Sequence, residues 1–180
     1  MRNMLAVLQL RATADVVANI ARAVTLVRRA ALEEKAQFIC LPEAFDYIVD
    51  TKAPISERPL PEPLEGARVQ TFVNLAKELK VWISLGGVHE MRKDGKQHNS
   101  HVIVDDLGKI RAVYRKLYLF DAKVENGYLE SATVAPGDGL VVVKDTPIGT
   151  VGLSTCYDVR FPAMFAAMRD AGGECCRFSL

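Results

Sequence analysis

Residues 149–162 read GTVGLSTCYDVRFP. An apolar strand pattern over 149–154 runs directly into Cys156, and an amphipathic helical pattern over 161–170 begins a few residues later. A strand that hands a reactive side chain to a helix start is a building unit of α/β proteins. Working outward, 141–144 reads as a partner strand separated from this one by a turn at Pro147, and Gly172-Gly173 stops the helix. Upstream, 101–105 and 110–115 form a predicted hairpin whose turn uses Gly108 for a positive φ. Residues 81–85 are a strand closed by Gly86-Gly87. A helix over 64–80 carries its apolar stripe on Val69, Phe72, Val73, Ala76 and Leu79.

Nearer the start, 37–41 is a strand that Pro42 ends, because proline has no amide proton for a ladder. A long helix over 15–35 places Val16, Ile20, Val24, Val27, Ala31 and Leu32 on one stripe, with Thr13 or Asp15 as its cap. The run 4–10 is apolar with little alternation, the pattern of a central strand covered on both faces. Four prolines between 52 and 63 mark a surface loop. The alternation of strands and helices with one hairpin predicts an α/β layered fold with mixed sheets.

A chain of 180 residues that is 49% hydrophobic can bury a sizeable core as one domain. Twenty-three basic residues against twenty-two acidic ones leave a net charge of +1 without a block of like charge, which argues against a nucleic-acid partner. The opening MRNMLAVLQL is too short an apolar run for a signal peptide, and no stretch approaches the roughly 20 apolar residues that span a bilayer. A soluble protein without a membrane partner is expected, cytoplasmic or mitochondrial. Cys40, Cys156, Cys175 and Cys176 lack the spacing of a disulfide scaffold, so reduced thiols are the simpler reading.

Cys156, at a strand-to-helix turn, is either a nucleophile near helix amides or a buried, inert small hydrophobe. A thiol needs a base or a cation to react at neutral pH. The three histidines, His89, His98 and His101, crowd around one hairpin; a histidine-based thiol hydrolase is possible, but surface or turn positions suit them better. They lack cysteine or carboxylate partners at zinc spacing, and no metal is expected. Glu43 follows the strand FICLP, and Lys116 ends the apolar and aromatic segment AVYRKLYLF, where a charge is costly unless paired or used. Either can also be an ordinary solvated charge.

LPEAFDYI, YRKLYLFD and STCYDVRFP together resemble the three signature blocks of the nitrilase superfamily of carbon-nitrogen hydrolases, in matching order. WISLGGVHE is most similar to the deaminated glutathione amidase branch. The resemblance implies a four-layer αββα sandwich, here only its N-terminal part, and hydrolysis of a small-molecule amide through a cysteine thioester. It makes Cys156 the nucleophile, Glu43 the general base and Lys116 the oxyanion stabiliser, with Glu130 positioning substrate and supporting the lysine. The backbone amide of Tyr157 is a second candidate donor to the oxyanion, and Asp158 and Arg160 are read as holding the turn. No cofactor is implied, and full-length relatives are expected to be homo-oligomers. Residues 1–174 follow the hydrolase domain, whereas CCRFSL over 175–180 lacks the apolar strand expected there, and Ala163 stands where relatives usually carry a glutamate. Low stability and self-association are expected of a chain with uncovered sheet edges. The alternative reading is an inactive isoform that acts only by associating with full-length subunits.

Overall fold

The computed structural model describes residues 3–49, 54–122 and 129–179. In chain order the elements are β1 (Leu5–Val7), α1 (Val16–Leu32), β2 (Phe38–Cys40), α2 (Ala67–Leu79), β3 (Trp82–Met91), β4 (Gln97–Val104), β5 (Ile110–Arg115), β6 (Val142–Thr146), β7 (Gly149–Thr155), α3 (Pro162–Asp170) and β8 (Cys175–Ser179). Residues 50–53, at the head of the proline-rich loop, and 123–128, just before Glu130, lie outside the described residues.

Strands β1 to β5 form one sheet in sequence order; β1, β2 and β3 run parallel through the crossover helices α1 and α2, and β3, β4 and β5 are antiparallel. Asp15 caps α1 by accepting from the Ala18 amide at 3.0 Å. Asn19, Ala23, Val27 and Ala30 form the buried stripe of α1, and Val69, Phe72, Leu75 and Ala76 that of α2. Strand alternation divides the sheet's residues between two cores. Ile39, Ile83, Leu85, Val102 and Val104 pack with the two helices, while Phe38, Cys40, Trp82, Ile103 and Tyr114 pack on the other face with Val143, Val151 and Leu153 of the second sheet and Met164 and Met168 of α3. Complete burial of Phe38, Ile39 and Leu41 contributes about 1.5–3 kcal/mol each and fixes the strand that leads to Glu43.

The second sheet has the order β6-β7-β8, with β7 and β8 parallel. A Cβ on Gly152 would lie 2.7 Å from Met168 Sδ, so α3 sits directly on that face of β7. His101 joins the sheets: its ring meets Ser84 Oγ at 2.7 Å and the Ser154 carbonyl oxygen at 3.3 Å.

Three expectations are corrected here. The run 4–10 gives an edge strand instead of a central one: Leu5 is 44% and Val7 69% exposed, because no strand among the described residues pairs with the outer side of β1. β3 does not stop at Gly86-Gly87; it continues to Met91 through a register shift between Leu85 and Val88, so the glycines make a bulge. The segment 175–179 of CCRFSL, lacking an apolar pattern, nonetheless forms β8, since its backbone finds a ladder on β7 from Val151 to Thr155.

Candidate active site

Three strand ends of the two sheets converge. After β2, the Leu41 amide donates to the Ser84 carbonyl and the Ala44 amide to the Gly87 carbonyl, so the chain turns over the β3 bulge with Ala44 at a φ of 51°. That turn aims Glu43 at β4, where Asn99 Nδ2 donates to Glu43 Oε1 at 2.6 Å. A Cβ on Gly87 would lie 2.7 Å from Asn99 Oδ1 and 3.2 Å from Glu43 Cγ, which explains a glycine at the bulge.

Lys116 follows β5, held by its amide's bond to the Asn99 carbonyl at 2.9 Å. Its side chain is only 2% exposed, and Nζ lies 3.4 Å from Glu43 Oε1 and 3.0 and 2.9 Å from the two Glu130 carboxylate oxygens. Glu130 opens a 3-10 turn, Glu130–Ala132, and Phe120 donates its amide to Glu130 Oε2 at 2.7 Å. The Gly137 amide donates to the Lys116 carbonyl at 2.9 Å, and a Cβ on Gly137 would collide with the Arg115 carbonyl. Backbone cannot yield as a side-chain tip can. Gly137→Ala is therefore expected to cost about 1–3 kcal/mol in urea denaturation and to displace the lysine.

Cys156 follows β7 at a φ of 50°, the left-handed region that strains a non-glycine residue. Asp158, fully buried, holds the turn by accepting from the Thr155 amide at 2.8 Å, the Tyr118 amide at 3.0 Å and the Tyr114 hydroxyl at 2.5 Å. An amide at this position would turn N–H groups against donors already in place, so Asp158→Asn is expected to lose about 1–3 kcal/mol and to slow Cys156 alkylation; an unchanged melting curve would refute this role. The Tyr157 ring packs edge-on against Phe120 and Phe161. The Arg160 side chain is exposed and makes no hydrogen bond or ion pair among the described residues.

Burial works against the Lys116 ammonium, but the nearby Glu43 and Glu130 carboxylates outweigh it and leave the lysine above its ordinary value. Burial and the Glu43 carboxylate push the Cys156 thiol up to about 11, with Lys116 pulling the other way; the thiol also hydrogen-bonds with Glu43. Cys156 thus rests protonated, beside a carboxylate placed to take its proton and an ammonium placed to balance the charge that follows. A cavity of about 680 Å³ exposes Glu43, Asn99, Lys116, Glu130 and Cys156 to one space.

The histidines are not surface or turn residues. His98 is 7% and His101 0% exposed, because β4 begins five residues before its apolar run VIV, and partners satisfy the rings there: the Ala135 carbonyl for His98 and Ser84 for His101. The charges acting on the Cys156 thiol are those of Glu43, Lys116 and Glu130, with no histidine among them. No group of three His, Cys, Asp or Glu among the described residues is arranged to hold a metal, and no helix among them is long and apolar enough to cross a membrane. Asn99 and Asp46 escaped the sequence reading. The signal for Asn99 lay in the polar run QHNSH immediately before the apolar VIV; Asp46, fully buried three residues after Glu43, had none in the local pattern.

The chain is 41% identical over 171 residues to the nitrilase and fragile histidine triad fusion protein NitFhit of Drosophila melanogaster, covering 94% of this chain and 36% of that protein. It is 38% identical over 177 residues to the deaminated glutathione amidase of Bos taurus, covering 95% of this chain and 53% of that protein. The crystal structure of the Caenorhabditis elegans NitFhit protein superposes with a TM-score of 0.85 at 32% identity, over 99% of this chain and 44% of that one. A Saccharomyces cerevisiae member of the nitrilase superfamily superposes with a TM-score of 0.73 at 27% identity, over 93% of this chain and 59% of that one. The chain thus spans about a third to three fifths of the length of these relatives. Residues 4–177 match the carbon-nitrogen hydrolase family, and the chain belongs to that family, within the nitrilase superfamily.

Proposed function

We propose that this chain carries the catalytic half of an amidase that cleaves a carbon-nitrogen bond in a small peptide-like or carboxylic acid amide, of the kind that deaminated glutathione represents. The observation that carries this reading is the meeting of Glu43, Lys116 and Cys156 at one cavity, with the lysine ammonium between two carboxylates. Glu43 takes the thiol proton as sulfur attacks the carbonyl carbon, and the new oxyanion is stabilised by Lys116 and the Tyr157 amide. The proton then passes from Glu43 to the leaving nitrogen, the carbon-nitrogen bond breaks, and a thioester remains. Water, deprotonated by Glu43, attacks the thioester and releases the acid and the thiol. Glu130 keeps Lys116 aimed and charged.

In this reading residues 1–174 are the N-terminal portion of a four-layer αββα sandwich of the nitrilase type, supported by the two cores on either side of the five-stranded sheet. A reduced Cys156 suits a cytoplasm-like compartment.

The test is release of ammonia or amine from small amides by the chain and by Cys156→Ala. Loss of turnover in the variant is expected; an unchanged rate would overturn the assignment of the nucleophile. A second reading, an inactive chain that only associates with full-length subunits, is favoured by the exposed Met4, Leu5 and Val7 on the open edge of β1. Thiol labelling separates the two: lysine-dependent reactivity of Cys156 belongs to the enzyme, ordinary reactivity to the binder.

A further inference from the structure

Glu43 has two carboxylate oxygens, and the neighbouring donors do not share them evenly. Asn99 Nδ2 at 2.6 Å and Lys116 Nζ at 3.4 Å both meet Oε1, and no N–H among the described residues donates to Oε2. A carboxylate only accepts, so the Asn99 amide must face it with N–H and turn its own oxygen away. That oxygen lies over Gly87, 2.7 Å from where a Cβ would stand. The Asn99 bond is short and charge-assisted, whereas the lysine contact is long, so Asn99 is the tighter restraint on the Glu43 side chain.

The backbone of Asn99 serves the other charged partner, because its carbonyl accepts from the Lys116 amide at 2.9 Å. One residue of β4 thus touches the carboxylate through its side chain and the lysine through its main chain. The loop that carries Glu43 does not depend on that side chain. The Ala44 amide bonds to the Gly87 carbonyl at 3.0 Å, and the fully buried Asp46 carboxylate accepts from the Tyr47 amide at 3.0 Å and the His89 amide at 3.2 Å. Asn19 Nδ2 also donates to the Asp46 carbonyl at 3.0 Å. These bonds hold the main chain after Glu43 whatever stands at 99. What the Asn99 amide fixes is the rotation of the Glu43 carboxylate, and with it which oxygen is tied and which is open.

We propose that Asn99 is a positioning residue that ties Glu43 Oε1 beside Lys116 and leaves Oε2 as the one oxygen that moves protons. Oε2 takes the proton of the Cys156 thiol and gives it to the leaving nitrogen; it then takes a proton from the attacking water and returns it to the departing sulfur. The use of the tether in hydrolysis rests on the amidase reading, whereas the tether itself rests on the Glu43–Asn99 geometry alone. Without it the Glu43 carboxylate is free to close on the Lys116 ammonium, and its charge withdraws from the sulfur.

The test is a double-mutant cycle on the rate at which iodoacetamide alkylates Cys156 at pH 8, read as the mass of the Cys156 peptide. Asn99→Leu keeps the size of the side chain and removes the N–H. It is expected to raise the rate about threefold to fivefold in the unaltered chain, and to leave it within about twofold in the Glu43→Gln chain, where no carboxylate remains to be released. Asn99→Ala, which adds no bulk, carries the same cycle should the leucine disturb folding. An unchanged rate in the unaltered chain, or the same factor in both backgrounds, would overturn the proposal. Amide hydrolysis gives the second readout: kcat is expected to fall about tenfold to a hundredfold with KM within about twofold. Asn99→Asp, of the same shape but without the N–H, is expected to hydrolyse no faster than Asn99→Leu at pH 8; recovery by the aspartate would reduce Asn99 to a space filler. An additive cycle beside intact hydrolysis sinks the tether and leaves the amidase reading standing. A non-additive cycle in a chain that hydrolyses no amide sinks the amidase reading and leaves the tether.

Discussion

Lys116→Met is expected to unfold at a markedly lower urea concentration than the unaltered chain and to lose amide hydrolysis by at least about a hundredfold. The lysine is 2% exposed and its ammonium lies between Glu43 at 3.4 Å and Glu130 at 2.9 Å. Methionine fills the same volume without charge, so two carboxylates are left facing each other where little water reaches them. Removing one partner of a buried ion pair typically costs about 3–5 kcal/mol, far more than an exposed pair contributes. In the proposed reaction the oxyanion also loses its cation, which alone accounts for a factor of about 10²–10³ in rate. The double variant Lys116→Met/Glu130→Gln separates the two losses. Removing the deeper carboxylate relieves the repulsion and restores much of the stability, while hydrolysis stays lost because no cation returns. A single variant within about 1 kcal/mol of the unaltered chain would show that the carboxylates reach water more freely than the geometry implies.

Three of the residues that sequence reasoning named stand at punctuation points. Glu43 stands after a strand that a proline ends, Lys116 closes an aromatic strand segment, and Cys156 follows an apolar run; each break in pattern marks a strand end, and strand ends are where a sheet presents side chains to a shared space. Asn99 and Asp46 stand at no such break. Asn99 lies within β4, in a polar stretch that hydropathy reads as loop and that becomes strand because its polar side chains find partners, His98 at the Ala135 carbonyl, Asn99 at Glu43, Ser100 at Glu90 and His101 at Ser84. Asp46 matters only once the loop after β2 is laid across β3, a tertiary fact that local pattern does not carry. The same limit explains both sheet-edge corrections. An apolar run like 4–10 signals capacity for burial but not which neighbour supplies it, and β8 forms in a sequence without apolar alternation because β7 offers an unpaired ladder. Propensity sets what a segment tolerates; its neighbours decide what it becomes.

Glu43→Gln is expected to move two properties of the site in opposite directions. Glutamine keeps the size of the side chain and an oxygen for Asn99 but cannot accept the thiol proton, so amide hydrolysis should fall by about 10²–10⁴. Alkylation of Cys156 should rise. The thiol stands at about 11 instead of its ordinary 9.0, first because it is buried and next because the Glu43 charge opposes a thiolate beside it. Removing that charge moves the thiol back toward 9.0, while burial, which the substitution leaves in place, keeps it from arriving there. Lowering the thiol also weakens the sulfur as a nucleophile, with a sensitivity of about 0.4–0.5, so a full two-unit return would raise the alkylation rate only about tenfold at pH 8 and a partial return by less. Lys116→Met should do the reverse, carrying the midpoint of the alkylation profile above that of the unaltered chain, because the lysine is the charge that favours the thiolate. Iodoacetamide rates between pH 6 and 10, below the midpoint of the unaltered chain, show both shifts as faster and slower reaction at the same pH, without reference to turnover. If Glu43→Gln slows alkylation as well as hydrolysis, the carboxylate is holding the loop in place and not acting on the sulfur, and the base must be sought elsewhere in the cavity.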